Sequence, residues 1–382
     1  MKIVEKFTPP HPLNTPVLFL IFNRLDTTKR VFEAIRQVKP PKLYIAADGA
    51  RKSKPEELTK VLAVREYVLS NIDWQCEIKT LFRDENLGCK YAVSGGINWF
   101  FDNEEMGIIL EDDCLPSQSF FWYCEELLNR YKDNPNIYLI SGDGRGANEF
   151  GSNYSYNFVK YALIWGWASW ASRWAKYDIS MNDWESSGEK IVNSISENKA
   201  TRRYWWHALK NTYKGEINTW DYQLNFTLFK NNGMCITPMA NMVTNIGFSV
   251  NATNTTDMDS PHANIPHFDL GFPLKHPSNV DMNASLNSFY DNKVFSREYI
   301  GYEEAYINTA EQLSKVEAML AEKEALNKML QDLMHNNKWY HFGQLSSKRK
   351  IMVCCKLVTK KLRIYNIIAP VVRFIKKLLG KK

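Results

Sequence analysis

Three consecutive acids, Glu111, Asp112 and Asp113, end the apolar run MGIIL, and a proline and a helical pattern follow. Adjacent like charges repel, and burying them is costly unless a partner neutralises them. The partner such a cluster suits best is a hard divalent cation. Mg²⁺ and Mn²⁺ take oxygen ligands, and Mg²⁺ typically takes one or two carboxylates while substrate phosphates fill other positions. A cation beside a diphosphate is the chemistry of a nucleotide substrate. The triplet alone also fits a plainer alternative, an acidic loop paired with a nearby Arg or Lys.

The elements that must position these acids alternate over the first 145 residues. PVLFLIF, KLYIAADG, CEIKTLFRD, MGIILEDD and NIYLISGDG read as strands. TTKRVFEAIRQV, PEELTKVLAVREYVLSNI, CKYAVSGGINWFF and SQSFFWYCEELLNRYKDN read as helices. Asp26 or Thr27 is the expected N-cap of the first helix, and Ser117 that of the last. Repeated β-α units predict an α/β fold, a Rossmann-like, mostly parallel sheet with helices on both faces. In such sheets ligands bind at the carboxyl ends of the strands. Asn23 and Arg24, Asp48, and Glu111 to Asp113 all fall there. Residues 150–250 are aromatic-rich and less regular, with CITPMANMVTNIGF as one strand running into a loop. Residues 251–292 read as a long loop or lid. Residues 302–336 carry a long helix pattern that suits either a short coiled coil, and so a homo-oligomer, or a helix docked on the body.

In chain order, FNR after the first strand, ADG after the second, RDENLGCKYAVSGGI after the third and ILEDDCLP after the fourth resemble GT-A-type glycosyltransferases. The nearest resemblance is to the N-acetylglucosaminyltransferase I-like group and its bacterial surface-polysaccharide relatives. It covers about residues 14–250. It implies a hexosyl- or N-acetylhexosaminyltransferase that uses a nucleotide-diphosphate sugar with Mn²⁺ or Mg²⁺. Asp113 would be the direct metal ligand, with Asp112 near the ribose or a metal-bound water and Glu111 as the motif's first acid. Asn23 and Arg24 would meet the nucleotide. Asp48 would accept from a base N–H, favouring UDP or dTDP over CDP. Asn86, Gly88 and Lys90 would line the nucleotide site. TWDYQ resembles the catalytic-base segment, which makes Asp221 the base of an inverting transfer. Asp221 is flanked by aromatics, and it would also serve as a helix N-cap. WGWASW resembles the acceptor-half motif, with Gly166 in a tight turn and Trp165, Trp167 and, beside the base, Trp220 as sugar-binding rings. SGDGRG would border the donor sugar. His262, His267 and His276 are candidates for a second metal ligand.

The remaining features place the chain. It has 382 residues, 45% apolar and 24% charged, with seven cysteines that form no CxxC pair and read as free thiols. The start MKIVEKFTPPHPLNTP has no signal-peptide pattern, and no apolar run approaches a membrane span. Residues 338–382 hold 13 Lys or Arg and no acid, leaving 35 basic and 42 acidic residues before them. An acidic body argues against nucleic acid as a partner, and the tail reads as basic amphipathic helices that seek an anionic membrane or, alternatively, pack on the acidic body. The expected organisation is a transferase domain over 1–300, with a nucleotide-binding half at 1–146 and an acceptor half at 147–300. A long helix over 301–337 and a membrane-associating tail over 338–382 follow. The expected acceptor is a glycan or lipid-linked sugar, and the expected place is the inner face of the cytoplasmic membrane. Two rivals stand beside this reading. A sugar-phosphate nucleotidyltransferase would show a Gly-rich basic loop where FNRLDTT stands. An inactive membrane-held glycan- or nucleotide-binding scaffold would need none of the acids.

Overall fold

Val17 to Ile21 are buried throughout, and their side chains alternate between two cores. Val17, Phe19 and Ile21 face one, and Leu18 and Leu20 the other. Residues 42–47 and 106–111 repeat the pattern, with Leu43, Ile45, Ile108 and Leu110 on the first side and Tyr44, Ala46 and Ile109 on the second. A period of two with both faces apolar is the signature of a sheet covered by helices on both sides.

The computed structural model describes residues 3–147, 153–248, 263–296, 314–325 and 328. The chain divides into two compact units, Met1–Arg297 and Glu298–Lys382. In chain order the first holds β1 (Ile3–Val4), β2 (Val17–Ile21), α1 (Leu25–Val38), β3 (Lys42–Ala47), α2 (Glu57–Ser70), β4 (Glu77–Phe82), α3 (Gly88–Phe101), β5 (Met106–Glu111), β6 (Cys114–Pro116) and α4 (Ser119–Tyr131). After these come β7 (Ile137–Ser141), β8 (Tyr156–Val159), β9 (Trp167–Trp170), α5 (Ala171–Trp174), α6 (Trp184–Ile195), α7 (Lys199–Tyr213), α8 (Asp221–Lys230), β10 (Met234–Pro238), β11 (Val243–Asn245), β12 (Asp269–Leu270), α9 (Ala284–Phe289) and a π-helical turn over Tyr290–Phe295. In the second unit, residues 314–325 are helical and Leu320 is exposed. The rest of the expected 302–336 helix and the whole 338–382 tail lie outside the described residues.

The main sheet has the order β4-β3-β2-β5-β9-β7-β10-β8. β4, β3, β2 and β5 run parallel in register, and β7 and β10 pair in parallel further along. β9 lies antiparallel between β5 and β7, and β8 is an antiparallel edge. This is the mostly parallel α/β sheet with helices on both faces that the sequence predicts. α1, α2 and α4 contribute to one core, and α3 with α5 to α8 to the other.

Four local expectations are corrected. The first helix begins at Leu25, with Arg24 as its cap residue, and the Thr28 hydroxyl donates to Arg24 O at 2.6 Å, so neither Asp26 nor Thr27 is the N-cap. α4 begins at Ser119, whose N–H donates to Asp269 Oδ1 at 2.7 Å, so its cap comes from 150 residues away and not from Ser117. The segment 234–248 holds two strands, because β11 leaves the main sheet to pair with β6. Residues 263–296 are not simply a loop. Leu270, Leu286 and Tyr290 are buried, and α9 and the π-helical turn close the second core.

Candidate active site

The short loop Phe22–Arg24 after β2 and the acids after β5 lie side by side because β2 and β5 are neighbours, with Leu20 paired to Glu111. The Phe22 N–H donates to Asp112 Oδ2 at 3.2 Å. Arg24 Nη2 donates to Asp112 Oδ1 at 2.5 Å and to Asp113 Oδ2 at 2.8 Å. The Cys114 thiol faces Asp113 Oδ1 at 3.6 Å. Burial pushes the Glu111 carboxyl up to about 8, reinforced by the charges of Asp113, Asp112 and Asp221. Burial likewise raises Asp112 to about 6, against the opposing pull of Arg24. Burial would lower the Arg24 guanidinium, but Asp112 and Asp113 outweigh it and hold it above its usual range. Arg24 pairs with two carboxylates, Asp112 and Asp113, while Glu111 beside them has no ion-pair partner among the described residues. That imbalance and the all-oxygen donor set fit a hard divalent cation. Among the described residues no group of three or more His, Cys, Asp or Glu side chains is arranged to hold a metal, so protein ligation would rest on one or two carboxylates, Asp113 foremost.

β6 and β11 fix the acids from behind. Asn245 pairs with Cys114, and the Ile246 N–H donates to Asp113 O at 2.8 Å. A Cβ at Gly247 would overlap Asp113 Oδ2 and lie 2.8 Å from Arg24 Nη1, so a larger residue there would have to shift the ion pair. His267 is engaged with Thr244 Oγ1 at 2.7 Å, and His276 with Glu126 and Tyr156 at 2.9 Å each. Neither of these expected second metal ligands is joined to the acids by a contact. His262 lies outside the described residues.

The residues expected to meet a nucleotide base lie across β3. Asp48 is buried, and its carboxylate accepts from the N–H groups of Leu87 (2.9 and 3.1 Å) and Gly88 (3.0 Å). Burial raises Asp48, and these N–H groups oppose the rise. Asn86 Nδ2 donates to Gly49 O at 2.8 Å, and Arg65 Nη2 reaches Asp48 O and Arg83 O. Asp48 and Asn86 therefore hold the 83–88 loop against the end of β3. Gly88, at φ +75°, opens α3 in a backbone region glycine favours. Lys90 begins that helix as expected, but its N–H is met by Asn218 Oδ1 at 3.3 Å. Asn23 Nδ2 donates to Glu57 Oε1 at 2.8 Å, and Arg51 is ion-paired with the same carboxylate. Sequence reasoning missed Arg51, Glu57 and Asn218. Glu57 reads as an ordinary first-turn helix acid, and nothing local signals its partners.

The second half brings the charge of Asp221 to bear on Glu111. It is the first residue of α8, behind the cap residue Trp220, and not the N-cap. The Thr219 hydroxyl donates to Asp221 Oδ1. Burial raises Asp221, while Thr219 and the N–H groups of Asp221 and Tyr222 pull the other way. Asp221 lies close enough to Glu111 for its charge to raise that carboxyl. The tryptophans separate. Trp167 and Trp220 are 1% and 2% exposed, with ring centroids 5.8 Å apart in a stack. Their faces are spent on each other and on Trp174, so they are core and not sugar platforms. Trp165 is half-buried. Arg145, paired with Asp143 of the SGDGRG run, lies over its ring at 4.1 Å, and Phe248 meets its edge. Gly166, at φ +64°, makes the expected turn, and its O accepts from the Gly142 N–H at 2.7 Å.

No family model matches the sequence, and no curated protein matches it. Among solved structures, the mannosyltransferase PcManGT from Pyrobaculum calidifontis, in complex with GDP-Man and Mn²⁺, is 11% identical at a TM-score of 0.32, over 60% of this chain and 71% of that one. The galactosyltransferase LgtC, in complex with donor and acceptor sugar analogs, is 12% identical at a TM-score of 0.30, over 72% of this chain and 95% of that one. UDP-glucose pyrophosphorylase complexed with UDP-glucose is 10% identical at a TM-score of 0.29, over 59% of this chain and 90% of that one. Likeness at this level assigns no activity to the chain.

Proposed function

We propose that the chain is a glycosyltransferase that moves a sugar from a nucleotide-diphosphate sugar, UDP-linked by preference, to a hydroxyl of a glycan or lipid-linked acceptor, with inversion. The observation that carries this reading is the acid run Glu111 to Asp113 at the carboxyl end of β5, where Arg24 from the loop after the neighbouring β2 pairs with Asp112 and Asp113. The ordered motifs resembling the N-acetylglucosaminyltransferase I-like group supply the roles, and the charge of Asp221, which is felt at Glu111, agrees with the role they give it.

Asp113, with Asp112 behind it, would hold Mg²⁺ or Mn²⁺, which would stabilise the departing diphosphate. Arg24 contributes positive charge toward the phosphates. Asp48 steadies the 83–88 loop by accepting from the Leu87 and Gly88 N–H groups, and its expected role toward a base N–H rests on the resemblance alone. Asp221 takes the acceptor hydroxyl's proton. Its raised pKa suits that work, since a base acts best when its pKa approaches the working pH. Of the three expected sugar-binding tryptophans only Trp165 is half-buried and not fully buried, with Arg145 over its ring, so any stacking on the acceptor falls to it. The nucleotidyltransferase alternative fits less well, because three residues, Phe22 to Arg24, join β2 to α1 and leave no Gly-rich loop. The basic 338–382 segment would hold the enzyme on an anionic, cytoplasmic membrane face, where lipid-linked acceptors are built. Among the described residues no helix is long and apolar enough to cross a membrane.

Calorimetric titration of UDP with Mn²⁺, and again with EDTA, tests the reading on wild type and Asp113→Ala. Cation-dependent UDP binding that the substitution abolishes is the expected outcome. Folded wild type that binds UDP under neither condition would rule out a UDP-sugar donor.

A further inference from the structure

Both oxygens of Asp113 are engaged within the chain. Oδ2 accepts from Arg24 Nη2 at 2.8 Å, and Oδ1 faces the Cys114 thiol at 3.6 Å. The Gly247 backbone packs over the same pair, since a Cβ there would collide with Asp113 and come within 2.8 Å of Arg24 Nη1. The backbone side of this arrangement is pinned. Asn245 pairs with Cys114, Ile246 N–H donates to Asp113 O, and Gly247 N–H donates to Asn245 Oδ1 at 2.8 Å. The part with freedom to leave is the Arg24 arm, whose side chain is 27% exposed against 5% for Asp112 and 14% for Asp113.

We propose that Arg24 is the internal counter-ion of Asp113, and that a divalent cation reaches Asp113 only by displacing it. The inference rests on the reading of Asp113 as a cation ligand in a nucleotide-diphosphate site. A guanidinium and a metal ion on the same carboxylate repel each other and compete for its lone pairs, and the oxygen that Arg24 leaves open faces the Cys114 thiol. Arg24 has a second anchor in Asp112, at 2.5 Å. A guanidinium that gives up Asp113 and keeps Asp112 therefore stays beside the incoming cation and repels it. A diphosphate arriving with the cation relieves that repulsion, since it supplies negative charge to both. Cation and nucleotide should then bind with positive coupling, each improving the other's affinity by the same factor. The cation alone should bind weakly, in spite of the neighbouring acids.

The test is titration of Mn²⁺ into the full chain, with and without UDP, for wild type, Arg24→Gln and Arg24→Lys. Loss of a charge-assisted contact predicts that Arg24→Gln binds Mn²⁺ alone about tenfold or more tightly than wild type. It should also gain less from UDP. Arg24→Lys, with its charge kept and its fork lost, should fall between them, and it serves if the Gln variant does not fold. The tightening should persist at about 1 M salt, where the Debye length is about 3 Å, because a direct contact and not a distant field is removed. If wild type binds Mn²⁺ and UDP together but Arg24→Gln binds Mn²⁺ alone no more tightly, displacement is wrong while the nucleotide site stands. If wild type binds UDP equally in EDTA, Arg24 is never displaced and the proposal is overturned. If no variant binds Mn²⁺ or UDP, the underlying reading falls, and this one with it.

Discussion

At the scale of single residues, Asp221, the base of the proposed transfer, is held by Thr219 in a way that bears on its ionisation. Burial raises the Asp221 carboxyl, and the Thr219 hydroxyl, which donates to the ionised form, pulls it back. Asp221→Asn should lower kcat by about 10²- to 10⁴-fold, the usual worth of a positioned base, while UDP affinity stays within about twofold. Thr219→Val removes the donor that favours the carboxylate, so the base would need a higher pH to ionise. The acid limb of kcat/KM should shift upward in that variant, and a rate profile from pH 5 to 9 checks it. An unchanged limb in Thr219→Val with full loss in Asp221→Asn would leave Asp221 as the base and remove Thr219 from its tuning. Little of this was visible in the sequence. TWDYQ marks Asp221, but its approach to Glu111 depends on where α8 lands. The same blindness hid Arg51, Glu57 and Asn218, whose partners lie in distant or unremarkable segments. It also misjudged Trp167 and Trp220, because a tryptophan bound for a core stack and one bound for a sugar face read alike.

At the scale of elements, the parallel strands β2, β3 and β5 were the most legible part of the chain. Short apolar runs, each ending in a polar signal and followed by a helical pattern, leave few alternatives. β9 and β11 were not legible, because their pairing is non-local. Each is short, and each owes its strand to partners more than twenty-five residues away, β5 and β7 for β9 and β6 for β11. The placement of Glu111 as the last residue of β5 has a stability consequence. Its carboxyl is raised from an ordinary 4.5 to about 8, so between those values the folded state binds a proton that the unfolded state has lost. Stability is therefore greatest below about 4.5 from this group and declines as pH climbs to 8. Asp112, raised to about 6, adds in the same direction over a lower window. In EDTA, chemical denaturation across pH 5 to 9 should show stability falling by on the order of a few kcal/mol. Glu111→Gln should flatten the slope and be more stable than wild type at pH 8. A wild-type slope of opposite sign would mean that the acids are neutralised by something other than protons.

At the scale of the whole molecule, charge is divided along the chain and not spread over it. The net +6 comes entirely from a final segment with 13 basic residues and no acid, behind a body in which acids outnumber bases by 42 to 35. A segment that mixes bulky apolar residues with lysines and arginines, if it is the membrane attachment proposed above, would gain from an anionic bilayer in two ways. Its apolar residues would enter the interface, and each basic residue near the surface would contribute about 1 kcal/mol. Cosedimentation with vesicles separates these contributions. The full chain should pellet with vesicles rich in phosphatidylserine and stay in solution with neutral ones. Raising salt to about 0.5 M should release it in part, since the electrostatic share is screened and the apolar share is not. Replacing Lys376, Lys377, Lys381 and Lys382 by Gln removes four of the 13 basic residues and should weaken the preference for anionic lipid, while UDP binding by the body is unchanged. Equal pelleting with both vesicle types would make the attachment apolar. No pelleting with either would leave the basic segment to pair with the acidic body, and UDP binding should then weaken with salt in the full chain more than in the quadruple variant.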